Sequence, residues 1–407
     1  MQQSINMKNI AIINTGACGS TGKIAKNLYS DLKAKGYNVK FCFGHGVDEG
    51  CQDFYVIDKK VERYWHSFMS RVWGKQGTHS YFATRRLIKK LKDQYIDTVI
   101  LLSLHGNYLN QPLLFKYLSE ENIQTFYLMI DEYPYVGKCT GTEGCTKFKQ
   151  GCGRCKALKL HTPTLFFDWS AELYKMKQTN YDKVPRIAFA GPEFVINQAK
   201  LSPMMKNRKL YVLDEAINTT IYQPQPTVEL KKQFGISEDK IVIVTATSDL
   251  PPYKGAEYFD KVAGLLEADD RFIFVRIAND RQGLEHRSKN LIIRGYVEEL
   301  KEMAVYFSMA DKFFFPSLQD TMSNTCLEAL ACGSPLMCFN ISGNPYLGNE
   351  EVLTLVEPKN VKEAAEKIKE TNKKTPEDIQ KYRNYALSRF DSRDYCDRVI
   401  EIIRKYE

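Results

Sequence analysis

The chain has 407 residues and a mass of 46.9 kDa, enough for two domains of ordinary size and too much for one small binding module. Apolar residues make up 43% and charged residues 26%, a balance that excludes disordered, collagen-like and coiled-coil chains. The formal net charge of +8 is uneven: residues 1–200 hold 28 Lys/Arg against 17 Asp/Glu, and residues 201–407 hold 29 against 32, so the basic surface belongs to the first half.

The opening residues, MQQSINMKNIAIIN, lack a charged segment followed by a long apolar one and a small-residue cleavage site, which points to a cytoplasmic protein. Apolar runs such as Val99 to Leu102 and Phe313 to Phe315 fall far short of the roughly 20 residues a membrane-crossing helix needs. Asn9 to Asn14 reads as a buried strand. A glycine-rich turn follows, and Ile24, Leu28 and Leu32 then mark a helix over Lys23 to Lys35 that ends at Gly36. Val39 to Phe43, Thr98 to Leu104 and Thr125 to Ile130 repeat the strand pattern, with helices at Thr84 to Asp93 and Gln111 to Ser119. Gln223-Pro224-Gln225-Pro226 reads as a linker. The rhythm then restarts with strands at Ile241 to Ala246, Phe272 to Ile277, Asn290 to Ile293, Lys312 to Phe315, Pro335 to Phe339 and Val352 to Val356, and a helix at Ala256 to Glu267. The pattern predicts two tandem Rossmann-like, doubly wound α/β domains.

In such sheets ligands bind beyond the carboxyl ends of the strands, so polar residues there carry the functional expectation. Gly16 to Lys23 can bring backbone N–H groups to an anion at a helix start. It is not a Walker loop, because five residues separate Gly16 from Gly22 and Ile24 follows Lys23. His105 and Asp131 close two strands of the first half. Lys254 in Pro251-Pro252-Tyr253-Lys254-Gly255 can neutralise a diphosphate as a point charge. The segment Phe315 to Gly333 carries Asp320 and a helix opening at Asn324 or Thr325, whose N-terminus suits phosphate oxygens. Thr325-x-x-Glu328 also reads as a capping box, in which both side chains serve the helix end itself. Eleven cysteines without a secretion signal point to reduced thiols. Four of them, Cys139, Cys145, Cys152 and Cys155, fall within 17 residues with one C-x2-C pair, which suits a structural zinc knuckle away from the chemistry, with unliganded thiols or an iron-sulfur site as the alternatives.

Asp320 and Glu328 with the following Ala-Leu-Ala-Cys-Gly-Ser-Pro resemble the E-x7-E signature of glycosyltransferase family 4, retaining enzymes of the GT-B fold. Lys254-Gly255, Gly295-Tyr296-Val297, Ser342-Gly343-Asn344-Pro345 and Arg389-Phe390-Asp391-Ser392 match other landmarks of that family. Gly19 to Lys23, His105 to Asn110, Asp131 to Tyr135 and Cys139 to Cys155 resemble a subgroup that builds bacterial surface polysaccharides. The resemblance spans essentially the whole chain. It implies two domains facing a central cleft: residues 1–215 for the acceptor, with a Cys-rich insert at about 139–155, residues 216–390 for the nucleotide-sugar, and a final helix at 391–407 that packs back on the first domain. It also implies that Glu328 holds the donor ribose and Asp320 the transferred sugar. Lys254 and the Asn324/Thr325 helix start would hold the diphosphate, Gly19 and Ser20 would close over it, and His105 would orient the sugar or the acceptor, with Asp131, Asp320 and Lys254 as the other catalytic residues. There are three departures from the family pattern: Asp320 stands for glutamate, Ser248 and Asp249 stand where an arginine precedes the lysine, and Ile130 stands for a histidine.

The expected activity is retaining transfer of a sugar from a UDP- or GDP-sugar to a lipid-linked or glycan acceptor, in capsule, exopolysaccharide or O-antigen synthesis, with no catalytic metal required. The charge of the first half suits docking on an anionic membrane surface, so that a cytoplasmic protein would sit peripherally on the inner face of the cell membrane. Two other readings stay open at this level: a sugar-nucleotide epimerase or hydrolase of the same fold and, more remotely, a zinc-containing nucleic-acid-binding protein, although aromatic-basic interleaving is absent.

Overall fold

The alternating apolar runs close into two seven-stranded sheets in a computed structural model that describes residues 9–47, 50–279 and 283–405. The segment on which the expectation of no leader rests, residues 1–8, lies outside the described residues. The chain divides into one unit of Met1–Leu213 with Cys396–Glu407 and a second of Asp214–Tyr395.

The first sheet contains β1 (Asn9–Gly16), β2 (Asn38–His45), β3 (Phe54–Val56), β4 (Thr98–Leu101), β5 (Gln124–Leu128), β6 (Ile187–Gly191) and β7 (Lys209–Val212). Their spatial order is β3-β2-β1-β4-β5-β6-β7, and every pair is parallel. Order reverses between β1 and β4, which makes the ends of these two strands the switch point. Around the sheet lie α1 (Gly19–Ala34), α2 (Lys60–Val72), α3 (Tyr81–Asp93), α4 (Gln111–Glu120), α5 (Ser170–Lys183) and α6 (Glu193–Ala199). The glycine-rich segment is less of a loop than expected. Gly19 to Gly22 already form the first turn of α1, and Gly22 is required because a Cβ there would meet the Ala17 carbonyl carbon at 2.5 Å.

The second sheet contains β8 (Ile241–Ala246), β9 (Phe272–Ile277), β10 (Leu284–His286), β11 (Leu291–Arg294), β12 (Lys312–Phe315), β13 (Leu336–Phe339) and β14 (Leu353–Val356), in the order β10-β11-β9-β8-β12-β13-β14. Only β10 pairs antiparallel. The switch point falls between β8 and β12. The helices are α7 (Val228–Gln233), α8 (Ala256–Leu265), α9 (Leu300–Met309), α10 (Asn324–Ala331), α11 (Val361–Lys369) and α12 (Pro376–Phe390), after which α13 (Tyr395–Lys405) returns to the first unit. There Gln124 Nε2 donates to the Ile403 carbonyl at 2.6 Å and Lys35 pairs with Asp397 at 2.8 Å.

The segment Gln223 to Pro226 is not a free linker. It lies inside the second unit, where the Gln225 N–H donates to Ser308 Oγ at 3.0 Å. Both sheets are buried on both faces, as the near-continuous apolar strands require.

Candidate functional site

At the second switch point, the loops after β8 and β12 are fastened to one another. The Leu318 N–H donates to the Tyr253 carbonyl at 2.8 Å, and Thr247 Oγ1 donates to the Lys254 carbonyl at 2.9 Å. Gly255 has φ +84 and a Cβ there would meet the Pro316 carbonyl oxygen at 2.0 Å, so the lysine-glycine pair exists because two backbones pass in contact. Gly343 is crowded in the same way: a Cβ would lie 1.9 Å from the Thr321 carbonyl oxygen, while its own N–H donates to the Asp320 carbonyl at 2.9 Å. Asn344 Nδ2 completes the tie by donating to the Ser317 carbonyl at 3.1 Å.

This frame brings Lys254 Nζ to 3.0 Å from Asp320 Oδ2. Burial disfavours the ammonium charge, but Asp320, with Tyr253 beside it, outweighs that and holds the lysine above its ordinary value. Helix α10 starts at Asn324 with Ser323 as its N-cap and no side-chain cap bond. The capping box read at Thr325 and Glu328 is therefore not formed, because Thr325 already lies inside the first turn. The first N–H groups are left without a side-chain partner, and Glu328, half-buried on the second turn, accepts a hydrogen bond from Tyr222. Near them the buried Asn324 Oδ1 and Gln319 Oε1 have no hydrogen-bond partner. An arginine does reach the Asp249 loop, from the neighbouring strand: Arg276 of β9 is fully buried, with Nη1 2.8 Å from Asp249 Oδ1 and Nε 3.0 Å from Asp260 Oδ1. Its charge is held by these two carboxylates.

At the first switch point, His105 Nε2 and Asp131 Oδ2 lie 3.0 Å apart. Donation from Nε2 to the carboxylate leaves Nδ1 as the acceptor of the ring. Asp131 Oδ1 accepts the Tyr133 N–H at 2.9 Å, and the Tyr133 ring stands edge-on 5.6 Å from the histidine. Gly19 and Ser20 are exposed at the start of α1. Asn14 joins the ends of β1 and β4: its Nδ2 donates to the Gly16 carbonyl at 2.7 Å and its Oδ1 accepts the Ser103 N–H at 3.2 Å. Beside His105 opens a cavity of about 600 Å³, mouth included, lined by Ser67, Ser70, Arg71, Gln76, Asn107 and His161 among others. Three buried acceptors around it, Ser70 Oγ, Gln76 Oε1 and Asn107 Oδ1, have no hydrogen-bond partner.

Sequence reasoning missed Lys177 and Glu132, which shape this site from behind. Lys177 is buried, donates to the Tyr133 and Val136 carbonyls at 2.6 and 3.0 Å, and lies 3.1 Å from the Tyr133 ring centroid. Burial pulls its pKa down to about 7. Its spacing from Leu173 and Tyr181 places it on the buried stripe of α5, and this period was the readable signal. Glu132 accepts from Tyr135 Oη at 2.6 Å and from Thr142, fixing the Cys-rich insert to the end of β5.

The expected zinc site finds no support. Cys139, Cys145, Cys152 and Cys155 line one small pocket, but among the described residues no group of three or more His, Cys, Asp or Glu side chains is arranged to hold a metal ion. The Cys139 thiol donates a hydrogen bond to Cys155, which holds the Cys155 thiol below its ordinary value, Cys152 Sγ accepts the Gly137 N–H at 3.2 Å, and Cys145 is exposed. The insert instead supports the cavity through Thr140 Oγ1, 3.0 Å from His161 Nδ1.

Two doubly wound units in tandem, each with polar loops at its switch point, define the two-domain GT-B class of fold. The Anabaena protein HepE in complex with UDP-glucose shares this fold with a TM-score of 0.64 and 10% identity, over 98% of this chain and 99% of that one. Residues 239–373 match the family model described as glycosyl transferases group 1. Over 347 residues, 83% of this chain and 82% of the relative, it is 22% identical to an uncharacterized glycosyltransferase of Haemophilus influenzae. Over 172 residues, 39% of this chain and 44% of the relative, it is 25% identical to the alpha-galactosylglucosyldiacylglycerol synthase of Streptococcus pneumoniae.

Proposed function

We propose that this chain is a retaining glycosyltransferase of family 4 that transfers a sugar from a UDP- or GDP-sugar to a lipid-linked or glycan acceptor in bacterial surface-polysaccharide synthesis. The observation that carries the reading is the Lys254–Asp320 contact at the β8/β12 switch point, beside the uncapped start of α10. Glycosyl transfer develops positive charge on the sugar and negative charge on the departing diphosphate. Lys254 and the free N–H groups of Asn324 and Thr325 stabilise the departing charge, while Asp320 turns toward the sugar hydroxyls. Gly19 and Ser20 open α1 of the first unit with N–H groups suited to an anion. Glu328 exchanges its Tyr222 bond for the ribose hydroxyls, and the unpartnered Asn324 and Gln319 oxygens accept further donor hydroxyls.

Among the described residues no side chain stands out as a covalent nucleophile, so same-face attack, with a donor phosphate oxygen taking the acceptor proton, accounts for retention. His105, oriented by Asp131, positions the acceptor, whose hydroxyls find the unpartnered oxygens of Ser70, Gln76 and Asn107. The UDP-glucose complex of HepE supports a uridine donor, and the name of the Streptococcus pneumoniae relative supports an acceptor with a lipid portion.

Mass spectrometry of products from a panel of UDP- and GDP-sugars with lipid-linked acceptors tests the reading directly. Glu328→Gln should lower kcat/KM about tenfold or more with little change in melting temperature. Lys254→Ala should lower kcat as well as donor affinity. Wild-type kcat/KM in folded Glu328→Gln protein would remove the nucleotide-site assignment. Hydrolysed or isomerised donor with no acceptor product would favour the epimerase or hydrolase reading.

A further inference from the structure

Helix α2 is built inside out. Its buried positions are the polar His66 and Ser70, whereas Val61, Tyr64, Trp65 and Phe68, spaced i, i+3, i+4 and i+7, are 79%, 74%, 60% and 57% exposed. A helix that packs on a soluble core turns such a stripe inward. The apolar surface continues past the helix. The Leu165 N–H donates to the Arg71 carbonyl at 2.8 Å and seats the exposed Phe166 and Phe167 beside the end of α2, with the Phe167 ring 5.2 Å from that of Trp73.

The charge around this face is one-sided. Residues 59–92 hold ten Lys/Arg and a single acid, Glu62, so the segment carries as much positive charge as the whole chain shows net. Arg63 and Arg86 are paired with Asp58 and Glu62, while Lys59, Lys60, Arg71, Arg85 and Lys89 are exposed. Exposed Trp, Tyr and Phe flanked by Lys and Arg is the composition of a helix that lies in a bilayer interface, its rings among the acyl chains and its cations at lipid phosphates.

We infer that the outer face of α2, with the Phe166–Phe167 loop, docks this chain on an anionic lipid bilayer. The inference rests on the proposed function only for the purpose of docking. The inner side of the same helix supplies Ser67, Ser70 and Arg71 to the cavity beside His105. A helix is about 10 Å across, so an acceptor whose lipid stays in the bilayer presents its sugar to the cavity within one helix diameter.

Co-sedimentation of the full chain with vesicles tests the site. Binding is expected to vesicles of equal parts phosphatidylglycerol and phosphatidylcholine, weakening as salt rises from about 0.1 M to about 0.5 M, with little binding to phosphatidylcholine alone. The double variant Trp65→Ser/Phe68→Ser should bind the anionic vesicles about tenfold more weakly or worse, while keeping wild-type turnover of a water-soluble acceptor. Lys59→Glu/Lys60→Glu should weaken binding and flatten its salt dependence. No binding by the wild type, or wild-type binding by the Trp65/Phe68 variant, overturns the inference. So does a wild-type dimer that the variant converts to monomer in light scattering, which would assign the face to a second copy of this chain. Vesicle binding lost in the variant but no transfer from any donor would leave the docking face standing and remove the proposed function instead.

Discussion

Around the second switch point the protein satisfies most of its own loops. The turn at Lys254, the segment from Pro316 to Ser323 and the Ser342–Pro345 turn are joined by Leu318, Gly343 and Asn344, and the two glycines admit no side chain. Around the first switch point the protein leaves acceptors open at Ser70, Gln76 and Asn107, and it sets an apolar helix face toward the outside. A diphosphate is a fixed shape that a preassembled cradle can meet without reorganisation. The open side has the character of a surface that a larger, more variable partner completes.

Replacing Gly343 by alanine should break the contrast most severely, since a Cβ 1.9 Å from the Thr321 oxygen forces the two loops apart. A loss of about 3 kcal/mol is expected, seen as a fall in melting temperature of roughly 6 °C or more together with a large rise in donor KM. A variant that melts with the wild type would show that the cradle yields.

Acidification should act on the other unit. His66, on the buried side of α2, has Nδ1 2.6 Å from Ser80 Oγ and 3.4 Å from the Ser80 N–H and accepts the Gly77 N–H on Nε2 at 3.3 Å, so a doubly protonated ring would face backbone N–H groups. Burial, with His79 beside it, pulls its pKa down to about 3. The unfolded chain takes up this proton near pH 6.5 and the folded chain does not, so stability falls as pH drops from about 6.5 toward 3. By pH 5 the loss from this group should be about 2 kcal/mol. Denaturant unfolding at pH 7 and pH 5 measures it, and His66→Gln should reduce the difference between the two pH values by about that amount. An unchanged difference would place the pH sensitivity elsewhere.

The smallest effect sharpens the comparison. Ser70→Ala removes a buried hydroxyl without a partner, so stability should change by no more than about 0.5 kcal/mol. Acceptor KM should nevertheless rise roughly threefold to tenfold, the worth of one neutral hydrogen bond. An unchanged KM would separate the cavity from the acceptor.

Much of this molecule was legible beforehand because its central strands are short apolar runs bounded by turn residues. β8, β9 and β12 lie where the pattern places them. Edge elements were not legible. β7 and β10 have exposed or half-exposed residues, and β3 is only three residues long, so pairing with a neighbour, rather than burial, makes them strands. Lys254, Asp320 and Glu328 could be singled out from strand ends and family resemblance. The direct bond between Lys254 and Asp320 and that between His105 and Asp131 join residues 66 and 26 positions apart, which no local pattern encodes.

By itself the sequence determined two parallel sheets, the strand ends that carry the polar residues, and the excess of positive charge in the first half. Those features follow from periodicity and composition, which act over a few residues at a time. Tertiary structure alone decided that Thr325 lies within its helix instead of capping it, that Cys139 pairs with Cys155 and Cys152 with the backbone, and that α2 faces its apolar stripe outward. Each of these depends on which neighbour fills the space beside a residue. The spacing of Val61, Tyr64, Trp65 and Phe68 reads as a core face in any single chain of letters, and only the packing of His66 and Ser70 beneath them turns it to the outside.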